Sequence, residues 1–306
     1  MRSRAVLAIV LTSLLLAGCA AGLEAVRRTA DVTSEVTAQW PANITADFNA
    51  NRVPSPGGAT PFTAPGQGAP SPNPGPTPTT VLATSTKAPV LMYHYIRVNP
   101  DPSDKIGAGL SVTPADFEAQ MAFLAQRGYA TTLVHDLVDR SAWPAQTVAI
   151  TFDDGYADAF EVAYPILRRY GFKATFYVIV DFVGRPGYMT WDQLRMLAAD
   201  GNAIGSHSLS HPDLRTLGGD ELRRQLVDSR VRLERELGMP VSDFCYPAGL
   251  FDDAVLAAAR GAGYRAAVTT KITWFTAGSD RLSVSRVRVA GGTSLADFAA
   301  MLDENL

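Results

Sequence analysis

Five glycines punctuate this chain in a way that leaves few folds open. Gly128, Gly171, Gly201, Gly238 and Gly263 each follow a helical pattern and precede a short apolar, β-rich run. A glycine just past a helix end is the stop signal expected of a helix-to-strand connection. The runs 89–93, 129–133, 148–152, 174–180, 203–206, 243–246 and 266–269 read as strands, and 113–127, 157–170, 190–200, 220–237 and 252–262 as helices. Thr113 caps the first helix with Pro114 at its first turn, and Thr190-Trp191-Asp192-Gln193 fits a capping box. Leu222, Leu226, Leu233 and Leu237 recur at helical spacing, which buries one helix face. Strands alternating with helices require a parallel sheet, open or closed. The stretch 87–306 is long enough for an α/β barrel.

The texture before residue 87 is different. Arg2 and Arg4 precede the apolar run 5–17, short for a membrane span and typical of an export signal. It ends Leu16-Ala17-Gly18-Cys19, which resembles the bacterial lipoprotein box. That resemblance implies removal of residues 1–18, lipidation of Cys19, and anchoring to the outer side of a bacterial membrane, in the cell envelope. Residues 19–52 form a polar segment. Residues 53–86 are a Pro/Gly/Ser/Thr-rich linker holding nine of the twenty prolines. Such a segment buries too little apolar surface to offset its ordering entropy, and its extended reach is on the order of 100 Å. The catalytic domain is then 87–306. With 27 basic and 30 acidic residues, the chain carries no basic excess for a nucleic-acid surface. Two cysteines exclude a disulfide scaffold, and a lipidated Cys19 leaves Cys245 without an internal partner.

Two segments concentrate chemistry. Thr151-Phe152-Asp153-Asp154-Gly155 places adjacent carboxylates at the end of a buried strand, where α/β folds build their sites. Alternation along an extended segment aims the two side chains differently, one to a metal and one to a substrate. His207-Ser208-Leu209-Ser210-His211 carries two of the four histidines, also just after a strand. On one helical turn both would reach the same cation. With a carboxylate from another strand end they make a His, His, Asp set with open positions. That set suits a catalytic divalent ion, zinc (Zn²⁺) foremost, although borderline ligands do not fix the metal.

Together these motifs resemble the polysaccharide deacetylases, the NodB homology domain of carbohydrate esterase family 4. The resemblance runs from about residue 89 to 302. It implies a distorted (β/α) barrel of about seven parallel strands, and hydrolysis of an acetyl group from a sugar. It implies that Asp154, His207 and His211 hold the metal and that Asp153 is the general base. The family's third motif supplies an oxyanion-binding backbone N–H, and here it corresponds to the loop Tyr246-Pro247-Ala248. The arginine that holds the catalytic carboxylate in that motif is absent, and Cys245 stands near its place. Cys245 itself reads as a buried structural thiol. The family's last motif, a Leu-x-His acid, is missing too; residues 282–289 offer Arg286 and Arg288 but no histidine.

His94, at the end of the first strand in Leu91-Met92-Tyr93-His94-Tyr95, is the remaining candidate acid. That opening resembles the biofilm poly-N-acetylglucosamine deacetylases. His135 reads as structural and Trp191 as core, while Trp274 and Phe275 are candidates for stacking on a sugar. The expected activity is removal of N-acetyl groups from an N-acetylglucosamine-containing polysaccharide. An acetyl-ester hydrolase on xylan-like sugars and a glycan-binding protein with a weak site remain the alternatives.

Overall fold

A computed structural model describes residues 83–303. The export signal, Cys19 and the linker up to residue 82 lie outside the described residues. Eight parallel strands organise the rest: β1 Val90–Tyr93, β2 Ala130–Thr132, β3 Thr147–Phe152, β4 Thr175–Val178, β5 Ala203–Ser206, β6 Asp243–Cys245, β7 Ala266–Ile272 and β8 Val284–Arg288. Seven of them close a barrel in the order β1, β3, β4, β5, β6, β7, β8 and back to β1. The lower half of β3 pairs with β2 and its upper end with β4, which distorts the barrel. β3 is buried at all six positions, as expected of a strand covered on both faces.

The helices pack outside this wall. They include α1 Lys105–Leu110, α2 Pro114–Gln126, α3 Val134–Leu137, α4 Tyr164–Arg169, α5 Trp191–Ala199, α6 Gly219–Arg223, α7 Ser229–Leu237, α8 Asp253–Gly261 and α9 Leu295–Met301. Thr113 caps α2 and the Thr190–Gln193 capping box closes on itself at α5. The five punctuating glycines all take left-handed φ, from 68° to 85°.

Three expectations need correction. The helices foreseen over 157–170 and 220–237 are interrupted by π turns at Ala159–Ala163 and Arg224–Asp228. β8 and α9 were not foreseen, and β8 is the strand that closes the barrel between β7 and β1. Thr84–Ser85 pair with Trp143–Pro144, so ordered pairing begins ahead of Lys87.

Candidate active site

The carboxyl ends of β1, β3, β5 and β6 open on one rim and carry the residues singled out above. Asp153 and Asp154 follow β3, His94 follows β1, His207 follows β5, and Tyr246 follows β6. The backbone of this rim is unusual. Among the described residues, four non-glycine residues have positive φ: Asp154 (70°), Ser208 (65°), His211 (64°) and Ala248 (54°). All four belong to the candidate site. A left-handed conformation is unfavourable for a residue with a Cβ. Such residues persist where surrounding structure over-determines them, and they cluster at functional sites.

The local reason is visible in the sequence of turns. The chain leaves β3 at Asp153, whose N–H donates to the Tyr93 carbonyl at 3.0 Å. It then reverses at Asp154 and Gly155. Gly155 has φ 80°, and a Cβ there would lie 3.0 Å from the Val178 side chain, so only glycine fits. The His207–His211 segment is not a helical turn, as the spacing suggested, but an irregular loop. Ser208 donates its N–H to Ser206 Oγ, and its own Oγ accepts from the His211 N–H at 2.9 Å. The Gln225 side-chain oxygen accepts the N–H groups of Leu209 and Ser210. Each histidine is thus placed by hydrogen bonds to its loop rather than by helix periodicity.

His207 Nε2 lies 3.4 Å, and His211 Nε2 3.7 Å, from Asp154 Oδ1. One ligand atom from each of the three residues falls within a 4.8 Å cluster. His207 Nδ1 donates to the Cys245 carbonyl at 2.7 Å, which leaves Nε2 for the cluster. Burial would raise the pKa of Asp154, but the neighbouring His207 lowers it. For His207 burial acts downward, yet the acidic groups around it, Cys245 and Asp154 foremost, hold its pKa well above the usual value.

Asp153 faces a different partner. It is almost fully buried and receives a bidentate pair from Arg286, both bonds at 2.7 Å. Arg286 is itself fully buried. Its Nε donates to the Thr269 carbonyl, Nη1 also to Thr151 Oγ1, and Nη2 also approaches Cys245 Sγ. Burial alone would raise the pKa of Asp153, but the charge and hydrogen bonds of Arg286 hold it well below the ordinary carboxylate value. His94 Nε2 stands 3.9 Å from Asp153 Oδ2 on the other side. Burial lowers the His94 pKa, outweighing the two carboxylates nearby.

Known proteins resemble this chain in sequence and in fold. The polysaccharide deacetylase family matches residues 141–267. YxkH of Bacillus subtilis, assigned to the polysaccharide deacetylases, is 32% identical over 71% of this chain and 76% of its own length. The structure of the deacetylase PplD from Streptococcus pyogenes, solved with acetate, superposes with a TM-score of 0.66 at 30% identity, covering 71% of this chain and 98% of that one. The chain belongs to the polysaccharide deacetylase family. IcaB from Ammonifex degensii, at 24% identity and a TM-score of 0.59 over 71% of this chain and 97% of its own, shares the fold.

The donor set of this deacetylase fits a divalent cation. Ligand atoms 2.0–2.2 Å from a tetrahedral ion stand about 3.3–3.6 Å apart, close to the 3.4 and 3.7 Å separations observed. Two imidazoles and one carboxylate leave a fourth position open, as in catalytic rather than structural sites.

The deacetylase also departs from the sequence reading. The arginine absent from the third motif has a functional replacement on β8. Arg286 arrives from 133 residues away in sequence and makes the bidentate contact to Asp153. The sequence held one clue, the arginines Arg286 and Arg288 within the β-rich run at 284–288. Tyr246 does not line the pocket: its side chain is fully buried, stacked on Phe251, with its hydroxyl donating to the Leu282 carbonyl. Its N–H is spent on the Val268 carbonyl and Pro247 has none, so within this loop an oxyanion donor falls to Ala248.

Trp274 and Phe275 are not beside the site. Phe275 is buried and pairs with Ala88 ahead of β1. Trp274 donates to the Met301 carbonyl and lines a groove with Tyr129 and Gln146, at the amino ends of β2 and β3. Cys245 is buried, as expected of a structural thiol, and burial raises its pKa. Trp191 packs against the core.

Proposed function

We propose that this deacetylase removes N-acetyl groups from an N-acetylglucosamine-containing polysaccharide at the cell envelope, where Cys19 anchors it. The observation that carries the reading is the pair of adjacent carboxylates with opposite partners, Asp154 facing two histidines and Asp153 facing Arg286 and His94. Asp154, His207 and His211 would hold a divalent cation, zinc being the ion the set suits best. That cation supplies polarisation of the acetyl carbonyl and a more acidic water.

The protein's own groups complete the chemistry. Arg286 keeps Asp153 ionised and fixes its orientation, so Asp153 can accept a proton from the attacking water. The new C–O bond forms as the carbonyl π bond opens, and the Ala248 N–H would stabilise the resulting charge on the acetyl oxygen; the C–N bond breaks as the carbonyl re-forms. His94, 3.9 Å from Asp153, takes over the proton that Asp153 removed from water and delivers it to the departing amine, giving acetate and a free amino sugar. An amide needs this proton, because an unprotonated amine is a poor leaving group.

Acetate release from poly-N-acetylglucosamine, chitin oligomers, peptidoglycan and acetylated xylan tests the reading, with and without a chelator. Release from the N-acetylated polymers, lost on chelation and restored by zinc, is the expected result. Release from xylan alone would replace the reading with an ester hydrolase. Binding without release from any polymer would replace it with a glycan-binding protein. For the anchor, Cys19→Ala should leave catalysis intact and move the protein out of the membrane fraction.

A further inference from the structure

His207 stands between two sets of ligand atoms, and the chemistry above uses only one of them. Its Nε2 is 3.4 Å from Asp154 Oδ1 on one side and 3.9 Å from Cys245 Sγ on the other. One ligand atom each from Asp153, His207 and Cys245 again falls within a 4.8 Å cluster, and all three residues are buried. Cys245 is thus a soft donor set against an imidazole.

The sulfur has only long contacts. It lies 3.4 Å from Arg286 Nη2, 3.8 Å from the Tyr246 carbonyl and 3.9 Å from His207 Nε2. His207 Nδ1 is fixed on the Cys245 carbonyl at 2.7 Å, so the residue that carries the thiol also aims the imidazole. An ion bonded at about 2.3 Å to sulfur and about 2.0 Å to nitrogen holds the two donors about 3.5 Å apart at a tetrahedral angle and about 4.3 Å apart in a line. The observed 3.9 Å falls between these limits, so the two atoms close on an ion with little movement.

Charge selects the ion. Asp153 is already engaged by both arms of Arg286, which leaves sulfur and imidazole as the free donors. Thiolate selects soft ions, copper(I) among them, and imidazole also binds copper. A monovalent ion that replaces the thiol proton leaves the charge of this buried site unchanged. A divalent ion would add a positive charge beside the Arg286 guanidinium, where burial makes unpaired charge costly. Nε2 of a neutral imidazole offers one acceptor site, so it serves one ion at a time.

We propose that Cys245 and His207 form a copper(I) site that overlaps the Asp154, His207 and His211 set and switches the deacetylase off when it fills. In the binding step the S–H bond breaks, the S–Cu bond forms and the proton leaves to solvent; copper stays monovalent throughout. The way in passes His211, whose side chain is 33% exposed. Copper on Nε2 takes His207 away from the catalytic cation. The site is independent of which polymer the enzyme deacetylates.

The test uses the full chain carrying Cys19→Ala, so that Cys245 is its one thiol, with bound metal removed by a chelator. Copper(I) is supplied as its coloured complex with bathocuproine disulfonate under ascorbate, and loss of colour reports transfer to the protein. One equivalent should transfer. Adding Cys245→Ser or Cys245→Ala should weaken binding by more than the roughly 10–100-fold typical of losing a group that only orients a ligand. Unchanged zinc stoichiometry in these variants shows that the surroundings of His207 are intact. Zinc and copper(I) should exclude each other, so that their sum never exceeds one ion per chain. Copper(I) bound equally well without Cys245, or bound alongside a full equivalent of zinc, would overturn the site. X-ray absorption at the copper edge of the parent protein decides the matter even if neither variant folds. One sulfur and one nitrogen neighbour are expected, and two sulfurs or none would overturn the site. Acetate release should stop at one equivalent of copper(I) in the parent, whereas Cys245→Ala should keep its own copper-free rate. If Cys245 takes copper(I) in a protein that deacetylates no polymer, the proposed activity fails and the site stands. If a polymer is deacetylated and Cys245 takes no copper(I), the activity stands and the site falls.

Discussion

Both ends of the barrel carry an aspartate facing histidine, and the two arrangements differ in one measurable respect. At the amino end, His135 on α3 donates from Nδ1 to Asp243 Oδ2 at 2.7 Å, and Ser242 Oγ donates to the same oxygen. The backbone there is regular: α3 is helical, Asp243 opens β6, and positive φ among non-glycine residues is confined to the opposite rim. At the carboxyl end, Asp154 is held 3.4 and 3.7 Å from two imidazoles, and two of the three residues sit in left-handed conformations. Direct contact satisfies a pair. Separation by more than a hydrogen bond, maintained against backbone preference, leaves room for an ion between the groups. The distances mark the lower pair as a clamp and the upper set as a receptor.

The sharpest way to break this comparison is to remove residues at the upper rim. Asp154→Ala and His207→Ala should lose bound metal and essentially all activity together. Asp153→Asn should keep the metal while kcat falls by about 10²–10⁴, the usual worth of a general base. Metal analysis and acetate release on the same preparations decide it. Metal loss in Asp153→Asn would exchange the roles of the two carboxylates.

His94 comes next. His94→Ala should lower kcat on an N-acetyl sugar by about 10²–10⁴ with metal content unchanged, and much less on an activated acetate ester, whose leaving group needs no proton. Equal losses on both substrates would make His94 an orienting group.

Arg286 sharpens the contrast within the upper rim itself. Replacing one partner of a buried ion pair leaves an unpaired charge and costs about 3–5 kcal/mol. Arg286→Met should therefore lower the thermal midpoint. It should also relieve the depression of the Asp153 pKa, so the acid limb of the pH–rate profile moves to higher pH. Arg286→Lys keeps a charge but loses the bidentate geometry and should fall between. An unshifted acid limb would show that Asp153 does not set it.

The same contrast explains what was legible beforehand. The barrel could be read because five helices, α2, α4, α5, α7 and α8, are each followed by a left-handed glycine just ahead of a β-rich run, a signal that acts over a few residues. Asp153, Asp154, His207 and His211 could be read because they cluster within two five-residue segments. Arg286 could not, because its meaning lies in a contact across the barrel with a residue distant in sequence, and because Val284-Ser285-Arg286-Val287-Arg288 lacks the apolar continuity of a buried strand. The left-handed backbone at Asp154, Ser208, His211 and Ala248 was equally illegible. Asp and His enter that region more readily than other side chains with a Cβ, but no residue at these positions requires it. The loop Tyr246-Pro247-Ala248 was legible as a backbone turn, but the fate of the Tyr246 ring, buried with its hydroxyl on the Leu282 carbonyl, was not.

The smallest expected effect belongs to the lower clamp, and it carries a definite pH signature. The hydrogen bond from Asp243 raises the pKa of His135; burial opposes this, and the charges of Asp243 and Asp136 add to it against Arg265. A histidine whose folded pKa exceeds its unfolded value of about 6.5 stabilises the protein fully below that value. The contribution fades as pH rises through the folded pKa, because over that window the native state binds a proton that the unfolded state has already released, and above it neither state is protonated. His135→Gln should therefore cost about 1.5–3 kcal/mol at pH 5.5, the range for a hydrogen bond to a charged group, and clearly less at pH 8.5. Denaturant melts of both proteins at the two pH values give the difference directly. Metal content and kcat should not change, since the clamp lies at the other end of the barrel. A pH-independent cost would mean that His135 acts by packing alone, and a loss of metal would end the distinction between clamp and receptor.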